Sequence, residues 1–209
     1  FYRFGFALED KFTSLYGSGK GDPAMFADIT PPKAEGERWI GIAPFAKHKG
    51  KIYPPELMEK VVAELAAMPS TKIFLFGGGD YERKTLGEWA SRYNGVTSLA
   101  ESRHGFAVEL ALLSHLDTMV SMDSANMHLA SLVGVRVVSV WGATHPYCGF
   151  KGFRQKEADI VQLPMTCRPC SVFGNKPCSR GDYHCLAGIP PQMIVNKVKS
   201  IIPPSTPDE

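Results

Sequence analysis

The sequence lacks the features that assign a chain to a membrane, secreted or nucleic-acid-binding class. No apolar run approaches the ~20 residues of a transmembrane helix, and the start FYRFGFALEDKF lacks a signal-peptide layout. The net charge is only +2, without a block of basic residues, which argues against nucleic-acid binding. Cysteines are few, five in 209 residues, which argues against a secreted disulfide scaffold. We therefore expect an ordinary cytoplasmic globular protein.

What is present is a regular alternation of strands and helices after an irregular start. Residues 1–38 are rich in Gly, Lys, Asp and Pro and show little periodicity. From Trp39 onward, amphipathic stretches alternate with short buried apolar runs, the clearest being 39–43, 72–76, 118–122 and 135–141. This α/β pattern predicts a Rossmann-like parallel sheet with helices on both faces. We expect one domain over 39–202, preceded by the end of a truncated N-terminal domain and a linker (1–38) and followed by a tail (203–209).

Polar side chains follow four of the predicted strands, at the ends where parallel sheets bind ligands. The loop after 39–43 carries lysines, and the helix opening at Ser124 offers free N–H groups, so both are complementary to phosphate. Asp80 follows three glycines and is placed to accept from ribose hydroxyls. Together these loops predict a nucleotide site. Its candidate residues are Lys51, Asp80, Asp123, Ser124, Ala125, Asn126, His128 and Thr144.

Each of these signals also has a simpler interpretation. Lys47 and Lys49 are typical of a solvated surface, and Asp123 or Ser124 is a good helix cap. His128 also suits a structural role inside the helix. The FGGGD stretch is consistent with a tight turn and is not the GxGxxG dinucleotide fingerprint. The nucleotide-site prediction depends on all four loops meeting at one edge.

A cysteine cluster occupies the last part of the predicted domain, in CRPCSVFGNKPCSRGDYHC. Four thiols within 167–185 can in principle bind zinc, but the second half lacks a CxxC knuckle. Buried or paired structural cysteines are the expectation, with zinc and redox chemistry as alternatives. The four residues are Cys167, Cys170, Cys178 and Cys185.

The segment VSMDSANMHLASLVGVRVVSVWGATHP (120–146) resembles the signature of glycosyltransferase family 9, the lipopolysaccharide heptosyltransferases. That signature has a strand, D-[ST]-G-x-x-H-x-A, a helix, G-[VI]-x-V-V, and a strand ending in [FW]-G-x-T-x-P. Further similar segments follow the family order: IGIAPFAKHKGKIYPPE, IFLFGGGDYER, LALLSHLDTMVSMD and the Cys-rich end. The resemblance covers about 39–202. Ala125 departs from it, because the family usually has Gly there.

The resemblance implies the C-terminal, donor-binding half of a GT-B enzyme. The enzyme would be an inverting transferase that moves heptose from ADP-heptose, or a similar nucleotide sugar, to a lipid-linked lipopolysaccharide-core acceptor. Lys51 and the segment 123–128 would form the donor clamp, the acid in IFLFGGGDYER would hold the ribose, and no metal cofactor would be required. The catalytic base and the acceptor site would belong to a missing N-terminal domain. Such an enzyme works in the cytoplasm or at the cytoplasmic face of the inner membrane.

Two other functions stay open from the residues alone. The first is a Rossmann module that holds a nucleotide without catalysis. The second is a structural domain that binds zinc through the cysteine cluster. An upstream strand with a Gly-rich turn and an Asp would favour the enzyme, and a metal analysis would test the zinc domain.

Overall fold

The computed structural model describes residues 11–202 and contains one parallel sheet of six strands. The strands lie in the order β3-β2-β1-β4-β5-β6. Their bounds are Arg38–Ala43 (β1), Thr71–Leu75 (β2), Val96–Ser98 (β3), Thr118–Met122 (β4), Val137–Val140 (β5) and Ile160–Val161 (β6). The predicted Rossmann-like parallel sheet is confirmed. The predicted tail over 203–209 lies outside the described residues.

Six α-helices accompany the sheet in the described part of the chain. They are Pro55–Ala66 (α1), Asp80–Arg92 (α2), Phe106–Leu113 (α3), Ala125–Leu132 (α4), His184–Ala187 (α5) and Pro191–Lys199 (α6). None of the helices within residues 11–202 has the length and apolarity needed to cross a bilayer.

The sheet is covered on both faces, which explains why its strands are apolar throughout. All six residues of β1 are buried, as expected for a strand between two helical layers. Ile40 and Ile42 belong to one hydrophobic core with helices α1, α2 and α6. Trp39 belongs to the other core with α3 and α4. Burying a large side chain of this kind stabilises the fold by roughly 1.5–3 kcal/mol.

The irregular segment before β1 packs against the second layer. Phe26 is buried against Trp39, with ring centroids 6.1 Å apart. The backbone N–H of Gly21 donates to Ser114 Oγ at 2.8 Å, and Lys33 pairs with Asp117 at 2.6 Å. The described part of the predicted linker is therefore attached to the domain.

Most predicted elements are present, with small shifts at their ends. The strand predicted over 118–122 has those bounds, whereas β5 is shorter than the predicted 135–141. Strand β6 and helix α5 lie in the segment between 142 and 190, which has no clear period in the sequence. Their short length explains why periodicity does not predict them.

Candidate functional site

The site lies where the strand order reverses. β1 and β4 are neighbours, but the chain leaves β1 toward β2 on one side and leaves β4 toward β5 on the other. The loops after these two strands therefore diverge, and a cleft opens between them at the carboxyl edge, as in other doubly wound sheets. The switch-point cleft encloses about 670 Å³. Its lining includes Phe45, Lys47, His48, Lys51, Glu82, Glu109, Asp123, Ser124, Ala125, Asn126, His128, Phe150 and Phe173.

A buried ion pair spans the floor of the cleft. Lys51 Nζ lies 2.9 Å from Asp123 Oδ2, and Thr144 Oγ1 donates to the same oxygen at 2.8 Å. Asp123 is 4% exposed and Thr144 is fully buried. Because Thr144 faces the carboxylate rather than the cleft, it orients Asp123. An ammonium has three N–H donors, so Lys51 can hold Asp123 and still donate to a ligand.

Close packing fixes the direction of the Lys51 side chain. Its Nζ lies 5.3 Å from the centre of the Phe150 ring, within the range of a cation–π contact. On another side, the Cα of Gly174 packs so closely that a Cβ there would lie 2.7 Å from Lys51 Cγ. Only glycine fits at that position. The residues that support Lys51 therefore come from the segment after β5, which the sequence did not indicate.

The start of α4 leaves its first N–H groups available to a ligand. Ser124 is the N-cap residue, but its side chain makes no cap hydrogen bond and lies 3.3 Å from Ser121 Oγ instead. Neither side chain that could have capped the helix does so, since Asp123 is held by Lys51. Ala125 is the first helical residue and does not have a positive φ, so Ala in place of Gly creates no strain. A helix N-terminus with free amides attracts anions.

The remaining predicted residues divide between the cleft and its surroundings. Asn126 and the exposed His128 line the cleft with the start of α4. Asp80 does not line it: its side chain is fully exposed and lies 3.7 Å from Arg83. Asp80 instead lines an adjoining hollow of about 470 Å³ beyond β2 and β3. The structure therefore brings together all of the predicted residues except Asp80 around the ion pair.

Two carboxylates that the sequence did not single out line the cleft. Glu82 accepts from the backbone N–H of Gly78 at 2.7 Å and so holds the glycine loop. Glu109, in the first turn of α3, lines both the cleft and the adjoining hollow. Burial raises the pKa of Glu109, opposed by the charge of His104. No residue in 11–202 gives the Glu109 carboxylate a hydrogen bond or an ion pair, which leaves it available to a ligand.

The loop after β1 presents its lysines in different directions. Lys47 lines the cleft and is exposed. Lys49 Nζ instead lies over the ring of Tyr183, 5.2 Å from its centre, in a separate hollow. The cleft therefore gains Lys47 as a cation and does not gain Lys49.

The cysteines are free thiols, and no group of three metal-ligating side chains is assembled among residues 11–202. Cys185 is buried, and burial raises the pKa of its thiol. Backbone N–H groups, first that of Tyr183, lower the pKa of the Cys178 thiol. The Cys178 thiol is therefore deprotonated more readily than the Cys185 thiol.

The sequence profile of glycosyltransferase family 9 (heptosyltransferase) matches residues 12–181. The chain belongs to this family. The predicted resemblance is confirmed, and the profile covers the ion pair, the start of α4 and part of the Cys-rich segment.

Similar proteins agree with this assignment. Lipooligosaccharide heptosyltransferase 2 of Campylobacter jejuni (serotype O:6) is 20% identical over 81% of this chain and 53% of its own length. The structure of the E. coli ADP-heptose lipopolysaccharide heptosyltransferase II superposes with a TM-score of 0.64 at 17% identity, over 85% of this chain and 50% of that one. The structure of an E. coli heptosyltransferase with ADP superposes with a TM-score of 0.60 at 17% identity, over 88% of this chain and 51% of that one. The chain thus spans about half the length of these relatives.

Proposed function

We propose that this chain forms the donor-binding half of a heptosyltransferase that uses ADP-heptose or a similar nucleotide sugar. The observation that carries the proposal is the cleft at the strand switch point, which is lined both by Lys51, paired with Asp123, and by the first residues of α4, whose N-cap Ser124 makes no side-chain cap hydrogen bond. The relatives named above include an ADP-heptose enzyme and a structure containing ADP. The acceptor would be a lipid-linked lipopolysaccharide-core saccharide, as the names of the relatives suggest.

The diphosphate fits the floor of the cleft. Ser124, Ala125 and Asn126 present backbone N–H groups at the positive end of a helix dipole. Lys51 adds a charged donor, and Lys47 adds a second cation at the mouth. A charge-assisted hydrogen bond to phosphate contributes about 1.5–3 kcal/mol. These groups stabilise the phosphate oxygens without a metal, so the proposal requires no metal cofactor.

The nucleoside fits the adjoining hollow, which shares Gly77, Gly78, Phe106 and Glu109 with the cleft. A ligand whose diphosphate lies on α4 would pass Glu109 as it enters this hollow. The carboxylate of Glu109 is half-buried and has no hydrogen bond or ion pair within residues 11–202, and it therefore suits a pair of ribose hydroxyls. Asp80 is at the exposed rim of the same hollow. We assign the ribose contact to Glu109 in preference to Asp80.

The same groups would favour the chemical step. In a direct displacement at the sugar, negative charge develops on the leaving diphosphate. The α4 amides and Lys51 are already oriented toward that position, so they stabilise the charge without reorganising. The catalytic base is proposed to belong to a part of the enzyme outside this chain. Bringing donor, acceptor and base together is worth roughly 7–11 kcal/mol at most, so we expect this chain to bind the donor without transferring the sugar.

Calorimetry with ADP, ADP-heptose and adenosine tests the proposal on the 209-residue chain. ADP should bind more tightly than adenosine, because the cleft is built for the diphosphate. An activity assay on the chain alone, and on the longer protein, should give transfer only with the latter. Equal affinity for ADP and adenosine would refute the phosphate site, and transfer by the chain alone would place the base among its own residues. ADP binding without transfer by the longer protein would favour a nucleotide-binding module.

A further inference from the structure

Arg168 occupies an unusual position for a charged side chain, because it is half-buried without a carboxylate partner among residues 11–202. Its guanidinium donates to backbone carbonyls and one side-chain amide: Gly142 O, Leu163 O (2.6 Å), Thr144 O (3.0 Å) and Gln162 Oε1 (2.9 Å). Burial lowers the pKa of Arg168. A buried charge is tolerated only when its hydrogen bonds are satisfied, so these four bonds hold the side chain in one geometry.

The carbonyls that Arg168 holds belong to the loop that supports the ion pair. Thr144, whose carbonyl accepts from Arg168, donates its hydroxyl to Asp123. The neighbouring Ala143 N–H donates to Gly50 O at 2.9 Å, next to Lys51 in the chain. The loop 142–144 is therefore attached to Asp123 and to Gly50, the chain neighbour of Lys51, and Arg168 holds it from the other side.

The chain after Arg168 continues this support. Cys170 N donates to Ala143 O at 3.1 Å, and the backbone N–H of Gly174 donates to Ser171 Oγ at 2.9 Å. This turn places Gly174 against the Lys51 side chain. The start of the Cys-rich segment (167–185) thus contacts the floor of the cleft at two places, through the loop 142–144 and directly at Lys51.

We propose that Arg168 is a positioning residue for the diphosphate site. By donating hydrogen bonds to the carbonyls of the loop 142–144, it sets the direction in which Lys51 and Asp123 face the cleft. This inference rests on the proposed donor site. Arg168 does not line the cleft itself and contacts a separate hollow near His145. Its effect on a ligand is therefore indirect, by way of the floor of the cleft, and it should affect the diphosphate while leaving the nucleoside contacts unchanged.

The test compares Arg168→Lys with a matched control at the opposite end of β5. Lysine keeps the charge but lacks the planar guanidinium that donates to several carbonyls at once. Arg136 precedes β5 and pairs with the buried Asp159, donating to its Oδ1 at 2.6 Å, so Arg136→Lys perturbs the same strand away from the cleft. Affinities for ADP and for adenosine are measured by calorimetry on the 209-residue chain, beside the melting temperature.

We expect Arg168→Lys to weaken ADP binding by about tenfold, the effect of one misplaced charge-assisted hydrogen bond, with adenosine affinity unchanged. Arg136→Lys should keep the wild-type ratio of the two affinities even if it lowers the melting temperature. An unchanged ratio of ADP to adenosine affinity in Arg168→Lys, with or without equal losses for both ligands, would overturn the proposal and leave Arg168 a purely structural residue. Absence of any ADP preference in the wild type would instead refute the proposed donor site.

Thr144→Val provides a second measurement that does not depend on the folding of Arg168→Lys, and the double variant is compared with both where it folds. Valine has a similar volume but lacks the hydroxyl that donates to Asp123. If Arg168 acts through this loop, Thr144→Val should cause the same diphosphate-specific loss, and combining the two substitutions should add little to either one. Full ADP affinity in Thr144→Val, or fully additive losses in the double variant, would contradict the proposed path.

Discussion

Replacing Lys51 with methionine separates the two roles that the structure gives to this side chain. Methionine keeps most of the length and apolar packing but removes the ammonium. Asp123, 4% exposed, then loses its cation and keeps only the Thr144 hydroxyl as a partner within residues 11–202. Breaking a buried ion pair from one side typically costs 3–5 kcal/mol. Because one hydrogen bond survives, we expect the free energy of unfolding to fall by about 2–4 kcal/mol, measured by urea denaturation.

The same variant should bind ADP more weakly. Loss of a charge-assisted bond of about 1.5–3 kcal/mol corresponds to a roughly 10- to 150-fold higher dissociation constant. The double variant Lys51→Met/Asp123→Asn distinguishes affinity from stability, because the asparagine is uncharged and still accepts from Thr144. We expect most of the unfolding free energy to return while ADP affinity stays low.

A second control uses the exposed lysine of the same cleft. Lys47 has no ion pair among the described residues, so Lys47→Met should change the free energy of unfolding by less than about 0.5 kcal/mol. It should weaken ADP binding modestly. If ADP affinity in the double variant recovers together with stability, Lys51 acts only by maintaining the fold and the reasoning is wrong.

Three further outcomes follow from the site. Glu109→Gln should reduce the preference for ADP over 2′-deoxy-ADP by about tenfold, measured by competition binding, whereas Asp80→Asn should leave that preference within about twofold; the reverse result would return the ribose to Asp80. In the purified, reduced protein, Cys178 should be alkylated before Cys185, because their thiol pKa values are shifted in opposite directions; equal rates, read by mass spectrometry, would contradict this. The protein should keep its fold in strong chelator, and unfolding with release of a stoichiometric metal would instead support the zinc domain.

The sheet and the cleft could be predicted because their signals are local. Each main strand is a short apolar run with a polar loop at its carboxyl end, and the topology of parallel sheets brings those loops together. Asp123 and Ser124 lie with Lys51 in the cleft at that edge. Asp80 follows the same rule, but the turn through Gly79, with a φ of 72°, leads it to the exposed rim. The rule gives the edge of the sheet and does not give the direction of a side chain.

The support for the ion pair could not be predicted for a different reason. Phe150, Arg168 and Gly174 belong to a stretch without helical or strand period, so no local signal indicates which element they contact. No local signal distinguishes Glu109 from other polar residues, and only the folded structure shows that its carboxylate has no hydrogen bond or ion pair within residues 11–202. Contacts between irregular segments that are distant in the chain leave no periodic pattern in the local sequence from which they could be predicted.

The buried pair also determines how the cleft recognises a diphosphate. Since Asp123 already neutralises Lys51, the pair adds little net positive charge to the cleft. Long-range attraction must come from exposed groups such as Lys47 and from the α4 dipole. What Lys51 contributes is a donor of fixed direction, held by Asp123, by the Phe150 ring and by Gly174. Such a donor favours a phosphate oxygen at one position over diffuse negative charge. It is therefore better suited to a leaving group whose charge develops at one place than to nonspecific binding of anions.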